Sequence, residues 1–231
     1  MGCDRLGAQI AGAVVMSQTA GMYGIIVSFA GMLLAESQSG GSAAQMTIGE
    51  ATLIASISHL GRVIGSILSA PLTDRLGVLR VLQLSAPLSL ASWPLITLGS
   101  RDMMLAGTIS AGVVIGLTAS VCRLYIAEVS SARARGVLCN LPGMAIALGL
   151  LINFSLSDLL PWRYATLLCG CVPLVTQLIG TILLPNSPRW LTHRGAGDEV
   201  VSKAITFFHG KKVDIAWEVK EIQKSLKGRP L

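Results

Sequence analysis

The chain reads Leu124-Tyr125-Ile126-Ala127-Glu128-Val129-Ser130-Ser131-Ala132-Arg133-Ala134-Arg135-Gly136 where one long apolar segment ends and the next begins. The carboxylate of Glu128 and the guanidinium groups of Arg133 and Arg135 lie within eight residues of one another. A helix needs about 20 apolar residues to cross the hydrocarbon core of a membrane, and both flanking segments are long enough. The stretch therefore predicts a membrane hairpin with a charged tip.

The composition indicates a polytopic membrane protein. Of the 231 residues, 52% are hydrophobic and only 13% are charged, and the mean hydropathy is +0.66. Soluble domains carry about 25% charged residues, so the depletion of charge is the more informative departure. The net charge of +6 comes mostly from basic residues in short loops and near the C-terminus, where membrane topology explains them. We therefore expect a lipid bilayer around the chain and no nucleic acid partner.

Six apolar segments are long enough to span the membrane as helices. The basic residues of the short loops cluster on one side, with Arg75, Arg80, Arg133 and Arg135 among them. By the positive-inside rule, this side and both termini are predicted to be cytoplasmic. The segments cover approximately residues 8–34, 51–72, 79–99, 103–126, 137–157 and 163–184.

Two of these segments carry glycines at a spacing that favours close helix packing. The second contains Gly61-Arg62-Val63-Ile64-Gly65, and the fourth contains Gly112-Val113-Val114-Ile115-Gly116. Small residues four positions apart lie on one face of a helix and let the backbone of a neighbouring helix approach. The pattern predicts close crossings at both places.

Three charged stretches, in this order along the chain, carry a family resemblance: Asp74-Arg75-Leu76-Gly77, the stretch from Tyr125 and Glu128 to Arg135-Gly136, and Pro185-Asn186-Ser187-Pro188-Arg189-Trp190-Leu191. Together they resemble the N-terminal signatures of the sugar porter family within the major facilitator superfamily. The resemblance implies an all-α membrane protein whose six transmembrane helices form one major facilitator bundle, a 3+3 inverted repeat, over residues 1–191. Residues 192–231 would be a cytosolic helical segment leading to a C-terminal bundle absent from this chain.

The same resemblance implies a cytoplasmic charge network that holds one conformation closed. Its members are Asp74, Arg75, Glu128, Arg135 and Arg189, which match charged positions of the three signatures. Ion pairs that break and re-form between packed helices would make a two-state element.

Three positions depart from the family pattern. Thr108 and Asn186 stand where the family has an arginine and a glutamate, and Gly143 stands where it has a sugar-binding glutamine. Asn140, one turn before Gly143, is a candidate to supply the missing amide. These losses keep open a second interpretation, a truncated, non-transporting family member that acts as a binding or regulatory membrane protein.

Polar residues within the spans are candidates for a substrate cavity. Gln18 and Tyr23 in the first span either face such a cavity or bond to neighbouring helices. Arg62 lies near the middle of the second span, where an arginine costs at least about 2.5 to 3.5 kcal/mol. It either contacts substrate or an anion or is a tolerated structural charge. Arg123, nearer the cytoplasm, is predicted to extend towards the membrane surface.

After His193 the chain becomes charged and amphipathic. Asp198 is predicted to begin a short helix with Val200, Val201, Ala204, Ile205 and Phe208 on one side. Asp214 is predicted to begin another helix, with Ile215 and Val219 in its apolar stripe. Either these helices form the cytosolic segment that joins two sugar porter halves, or they lie on anionic lipid.

The resemblance and the residues together predict facilitative uniport of a hexose or disaccharide by alternating access. No carboxylate lies deep within the six spans, which argues against a proton relay. Transport would require a second six-helix half or a homodimer, in the plasma membrane. The sequence shows no nucleophile paired with a base and no metal-ligand spacing, so we expect neither an enzyme nor a cofactor.

Overall fold

The computed structural model describes residues 6–39, 47–131 and 133–210. Every secondary-structure element in this part of the chain is a helix, as predicted for an all-α membrane protein. The helix predicted to begin at Asp214 lies outside the described residues. The helices are α1 Leu6–Ser39, α2 Ile48–Leu76, α3 Val78–Leu98, α4 Arg101–Val129, α5 Arg135–Leu138, α6 Leu141–Ser157, α7 Trp162–Leu183, α8 Pro188–His193 and α9 Asp198–His209.

Within the described residues, six spans are long and apolar enough to cross a membrane, which confirms the predicted number. They are α1, α2, α3, α4, the combined stretch Arg135–Ser157 and α7. Consecutive spans run in opposite directions, so the chain crosses the bundle six times. Arg75, Arg80, Arg133, Arg135 and Arg189 therefore lie at one end of the bundle, called here the basic end.

Helix α2 extends beyond the apolar segment that predicted it. Its N-terminus is fixed by a capping box, in which the Thr47 hydroxyl accepts a hydrogen bond from the Glu50 backbone N–H at 3.3 Å. The Glu50 carboxylate accepts in turn from the Thr47 backbone N–H at 2.8 Å. Gly77 ends the helix with a φ of 82°, a conformation that favours glycine. The last turn of α2 thus includes Asp74 and Arg75.

The fifth span is not the single helix predicted for residues 137–157. A turn at Cys139 and Asn140 separates α5 from α6. Pro142 lies in the first turn of α6, where its missing N–H costs nothing, whereas further inside a helix it would remove a backbone hydrogen bond. The proline explains why α6 starts afresh at this point.

Two backbone crossings hold the bundle together. At the first, α2 packs on α4: a Cβ on Gly65 would lie 2.0 Å from the Val113 carbonyl oxygen, and one on Gly112 would lie 2.3 Å from that of Ser58. The structure confirms the close approach that the two glycine spacings predicted. Because no real Cβ contacts an atom at such distances, these helices meet through their backbones.

The second crossing joins α1 to α6. A Cβ on Gly24 would lie 2.1 Å from the Ile146 carbonyl oxygen, and one on Gly149 would lie 2.3 Å from that of Gly21. The glycines of these two helices form no four-residue repeat, so the sequence did not predict this crossing. Gly143, in the first turn of the same α6, has nothing within 4 Å of where a Cβ would stand.

Helix α9 packs against the basic end of the bundle. The side chains of Val201, Ala204, Ile205 and Phe208 are buried, as their shared position on the predicted helix required. Val200, predicted on the same side, is 50% exposed. Gly197, rather than Asp198, precedes the first turn. The apolar side of α9 is therefore covered by protein.

Candidate functional site

A cavity of about 380 Å³, with both apolar and polar side chains in its wall, lies among α1, α2, α4 and α6. Its volume falls in the range of about 300 to 1,000 Å³ typical of small-molecule sites. The lining includes Tyr23 of α1, Arg62 and Ser66 of α2, and Ser120 and Arg123 of α4. We call it the arginine cavity, because both guanidinium groups belong to its wall.

Arg62 is held against an aromatic ring. Its guanidinium carbon lies 4.5 Å from the centroid of the Tyr23 ring, within range of a cation–π interaction. His59 contacts the same ring edge-on, with centroids 6.4 Å apart. Among the described residues, neither Arg62 nor Arg123 forms an ion pair. A charge near the middle of α2 is thus stacked but not neutralised.

The four residues predicted for the cavity are not all brought together. Tyr23 and Arg62 line it, as the sequence suggested. Gln18 instead accepts a hydrogen bond from the Thr176 hydroxyl at 3.0 Å and lines a separate, apolar groove. Asn140 is exposed, and its side-chain amide donates to the Gly136 carbonyl at 3.1 Å. Neither amide reaches the arginine cavity.

Arg123 is the cavity residue that the sequence analysis did not assign to the cavity. Its side chain is exposed and also belongs to the cavity wall, so its predicted extension towards the membrane surface stays a prediction. A signal was present: Arg123 follows Gly116 by seven residues, which is two helical turns. Since Gly116 faces α2, a residue two turns later points to the same side.

The basic end contains the residues of the predicted charge network, but few of them meet. The half-buried Glu128 carboxylate accepts a hydrogen bond from the Ser187 hydroxyl and interacts electrostatically with Arg189. Asp74 and Arg75 are exposed on the last turn of α2. Within the described chain, no ion pair links Asp74, Arg75, Glu128 and Arg135 to one another. Only Glu128 and Arg189 are brought together.

Arg135 was expected to face the other charged groups. Its side chain is exposed, and its guanidinium group donates a hydrogen bond to the Ser130 carbonyl at 3.4 Å. The turn after α4 accounts for this, because it places α5 beyond the end of α4 and directs Arg135 back along its own loop. The contact is local to that loop.

Two polar side chains to which the sequence analysis gave no structural role fix the basic end. Gln9, fully buried at the start of α1, donates to the Phe208 carbonyl at 3.1 Å and accepts from the Ser131 backbone N–H at 2.9 Å. Tyr125 donates its hydroxyl hydrogen to the Pro185 carbonyl at 2.7 Å. These bonds connect α1, α4 and α9 with the end of α7. Gln9 gave no sequence signal, because it stands alone among small apolar residues.

The three departures from the family pattern have different surroundings. Thr108 is fully buried and donates to the Met104 carbonyl of its own helix at 2.7 Å. Gly143 borders open space, and Asn186 is half-buried. The described residues contain no group of three or more His, Cys, Asp or Glu side chains that could hold a metal ion.

The six-span bundle has the fold of a solved protein of the major facilitator superfamily. XylE with bound 6-bromo-6-deoxy-D-glucose, described as a proton:xylose symporter of that superfamily, matches with a TM-score of 0.81 at 21% identity. The match covers 96% of this chain and 54% of XylE. Escherichia coli XylE in a partially occluded inward-open conformation matches with a TM-score of 0.79, over 95% of this chain and 59% of that one. At such low identity these likenesses show the fold alone.

The chain belongs to the family described as Sugar (and other) transporter, whose sequence profile matches residues 8–229. The facilitated trehalose transporter Tret1 of Apis mellifera ligustica is 30% identical over 94% of this chain and 43% of its own length. The human solute carrier family 2, facilitated glucose transporter member 6, is 31% identical over 79% of this chain and 36% of its own length. The chain thus spans about two fifths of the length of these relatives.

Proposed function

We propose that this chain is the N-terminal six-helix half of a facilitative transporter for a hexose or disaccharide. The observation that carries the proposal is the arginine cavity, a space of ligand size inside a bundle of a sugar transporter family. The relatives of the chain include a facilitated glucose transporter and a facilitated trehalose transporter. In major facilitator proteins substrate binds between two bundles, so residues 1–191 would supply one wall of the site.

The positions of the acidic residues support uniport rather than proton coupling. A proton relay within the membrane uses Asp, Glu or His side chains deep in a span. His59 of α2 is such a residue, but no carboxylate of the described spans lies at a similar depth. Among the described spans, every Asp or Glu lies in the first or last turn of its helix or directly after it. These residues are Glu36, Glu50, Asp74, Asp102, Glu128 and Asp158.

The distribution of charge supports an orientation with both termini in the cytoplasm. The basic end carries most of the arginines of the described loops, and basic loops favour the cytoplasmic side. With this orientation α9 and residues 192–231 are cytosolic and lead towards a second bundle. A homodimer is the other arrangement that would complete the site, and the plasma membrane is the proposed location.

Uptake into proteoliposomes tests the proposal. The 231-residue chain, and the protein carrying its natural C-terminal sequence, would be reconstituted separately and supplied with radiolabelled glucose or trehalose. We expect saturable uptake by the second protein that stops at equal internal and external concentrations. Accumulation driven by an imposed pH gradient would contradict uniport, and uptake by the 231-residue chain would favour the homodimer.

A non-transporting binding or regulatory membrane protein is the second candidate. The environment of Gly143 favours it, because this position leaves open space where the family pattern has a glutamine side chain. Absence of saturable uptake from both proteins, with binding of sugar retained, would support this candidate. Restoring the amide with Gly143→Gln should then strengthen sugar binding, since no atom within 4 Å of the place its Cβ would occupy opposes it.

A further inference from the structure

The wall of the arginine cavity carries two positive charges and no matching negative one. Arg62 and Arg123 come from different helices, yet both line the same space. None of the described residues that line it is Asp or Glu. Neither guanidinium group has an ion-pair partner in the part of the chain that the structure describes. The cavity is therefore electropositive and lies within the membrane-spanning part of the bundle.

Arg62 is oriented to bind an anion. Stacking on Tyr23, with 4.5 Å between the guanidinium carbon and the ring centroid, covers one face of the planar group. The N–H groups of a guanidinium point outward in its own plane, so stacking leaves them available. They match the geometry of a carboxylate or a phosphate, to which arginine donates two parallel hydrogen bonds.

Hydroxyl groups in the same wall suit a polyhydroxylated ligand. The hydroxyls of Tyr23 and Ser120 have no hydrogen-bond partner among the described residues, and each can donate and accept. Ser66 donates to the Arg62 carbonyl at 2.9 Å and keeps its lone pairs as acceptors. The cavity thus offers sites for both an anion and neutral hydroxyl groups.

We propose that the arginine cavity binds a hydroxylated organic anion, namely a sugar that carries a carboxylate or a phosphate group. This inference rests on the proposed transport function and names a substrate class for it. An uncompensated arginine near the midpoint of a span needs a counter-charge or water, and an anionic substrate supplies the counter-charge when it binds. A neutral sugar would leave both guanidinium groups unpaired.

A matched pair of probes tests the charge. D-glucuronate and D-glucose share their ring hydroxyls and differ in a carboxylate against a hydroxymethyl group. Binding of each to the purified 231-residue chain in a neutral detergent would be measured by calorimetry, with D-glucose 6-phosphate as the phosphate arm. We expect the anionic sugars to bind about tenfold more tightly than glucose or better, the effect of one charge-assisted hydrogen bond or more. Raising the salt concentration should weaken only anion binding.

Variants locate the effect. Arg62→Gln and Arg123→Gln should each weaken glucuronate binding about tenfold more than they weaken glucose binding, so that each variant loses most of the preference for the anion. Arg62→Lys keeps the charge but loses the planar fork, so it should fall between the wild type and Arg62→Gln, and it serves if Arg62→Gln folds poorly. Arg163→Gln is the matched control, because Arg163 also stacks on an aromatic ring, that of Trp162 at 5.2 Å, but lies outside the cavity.

Three results would overturn the inference. Equal affinity for glucose and glucuronate would leave the proposed sugar transporter intact but remove the anion site. If both arginine variants bind glucuronate as the wild type does, and Arg62→Gln has a higher melting temperature, Arg62 does not contact the ligand. It would then be a structural charge whose partner is a carboxylate of another bundle. Loss of glucuronate binding in phosphatidylglycerol nanodiscs but not in phosphatidylcholine would assign the arginines to a lipid headgroup. Tight glucuronate binding without any sugar uptake would instead contradict only the transport proposal.

Discussion

The glycine crossings in the middle of the bundle and its basic end are held by different kinds of contact. At the crossings, the backbones of α2 and α4 and those of α1 and α6 approach so closely that a Cβ at Gly65 or Gly24 would lie 2.0 or 2.1 Å from a carbonyl oxygen. At the basic end, Asp74 and Arg135 are exposed, and Glu128 is held mainly by Ser187. Packed backbones allow one arrangement, whereas a few polar contacts at a surface break at much lower cost.

This difference indicates which parts of the bundle move together. Helices joined through their backbones behave as a rigid pair, because separating them gives up the close van der Waals contact along the crossing. The exposed charged side chains of the basic end lie outside the buried cluster that includes Tyr125, Val129 and Phe208. If a second bundle rocks against this one, contacts made by these charges would form and break without disturbing that cluster. The crossings would then carry stability, and the basic end would carry the conformational change.

The largest effect is expected from Gly65→Ala at the α2–α4 crossing. Its Cβ would lie 2.0 Å from the Val113 carbonyl oxygen and 2.7 Å from the Leu117 nitrogen, both backbone atoms that cannot turn away. The helices must separate, which should cost about 3 kcal/mol. The control is Gly143→Ala, which adds the same methyl group in open space and should be neutral or stabilise by up to about 1 kcal/mol. Thermal unfolding in detergent measures both, and equal melting temperatures would contradict the crossing.

A smaller effect is expected from Gln9→Ala at the basic end. The substitution removes the hydrogen bond to the Phe208 carbonyl and leaves the Ser131 N–H without its partner. Losing one buried partner should cost about 1 to 2 kcal/mol. Helix α9 should then leave the bundle before the spans unfold, which limited proteolysis within residues 194–209 would detect. Gln18→Ala is the control, because its bond to Thr176 lies far from α9 along α1.

Most of the fold could be predicted from the sequence. Apolar length fixed the number of spans, and the four-residue glycine spacing in α2 and α4 identified their crossing. The crossing of α1 on α6 was harder, since neither Gly21 nor Gly149 has a second glycine four residues away, although Ala145 precedes Gly149 by four residues. The break before α6 was not predicted, although the sequence shows Pro142 there. Hydropathy predicts the length of an apolar segment but not the place where its backbone hydrogen bonds are interrupted.

The candidate site could be predicted only in part. The position of Arg62 within an apolar segment marks it as unusual, because placing a charge in the middle of a span costs free energy in whichever direction the side chain points. Which polar residues share a cavity depends on helix rotation: Arg123 faces α2, whereas Gln18 faces α7. Charge pairs depend further on side-chain geometry across a turn, so Glu128 and Arg135 match the family signature and still do not pair within the described chain.

Disrupting the interaction of Glu128 with Arg189 should lower the free energy of unfolding by about 1 kcal/mol. Glu128→Lys places two positive charges together and should lower the melting temperature, and the double variant with Arg189→Glu should recover part of the loss. The double variant with Arg135→Glu should recover less, because Arg135 contacts the Ser130 carbonyl of its own loop. Equal recovery from both would mean that the charge of the basic end acts as a whole rather than through this pair.

The smallest effect on stability is expected from Asp74→Asn. Asp74 is exposed and has no ion-pair partner among the described residues. The free energy of unfolding, measured through the melting temperature, should therefore change by less than about 0.5 kcal/mol. If the basic end closes against a second bundle during transport, the same substitution should nevertheless slow sugar exchange by the protein carrying its natural C-terminus. Glu199→Gln, whose carboxylate pairs with Lys203 on the exposed side of α9, removes an equally exposed charge and should slow nothing. Slower sugar exchange by Asp74→Asn at an unchanged melting temperature would indicate that Asp74 takes part in the conformational change. Unchanged exchange would remove Asp74 from the proposed network.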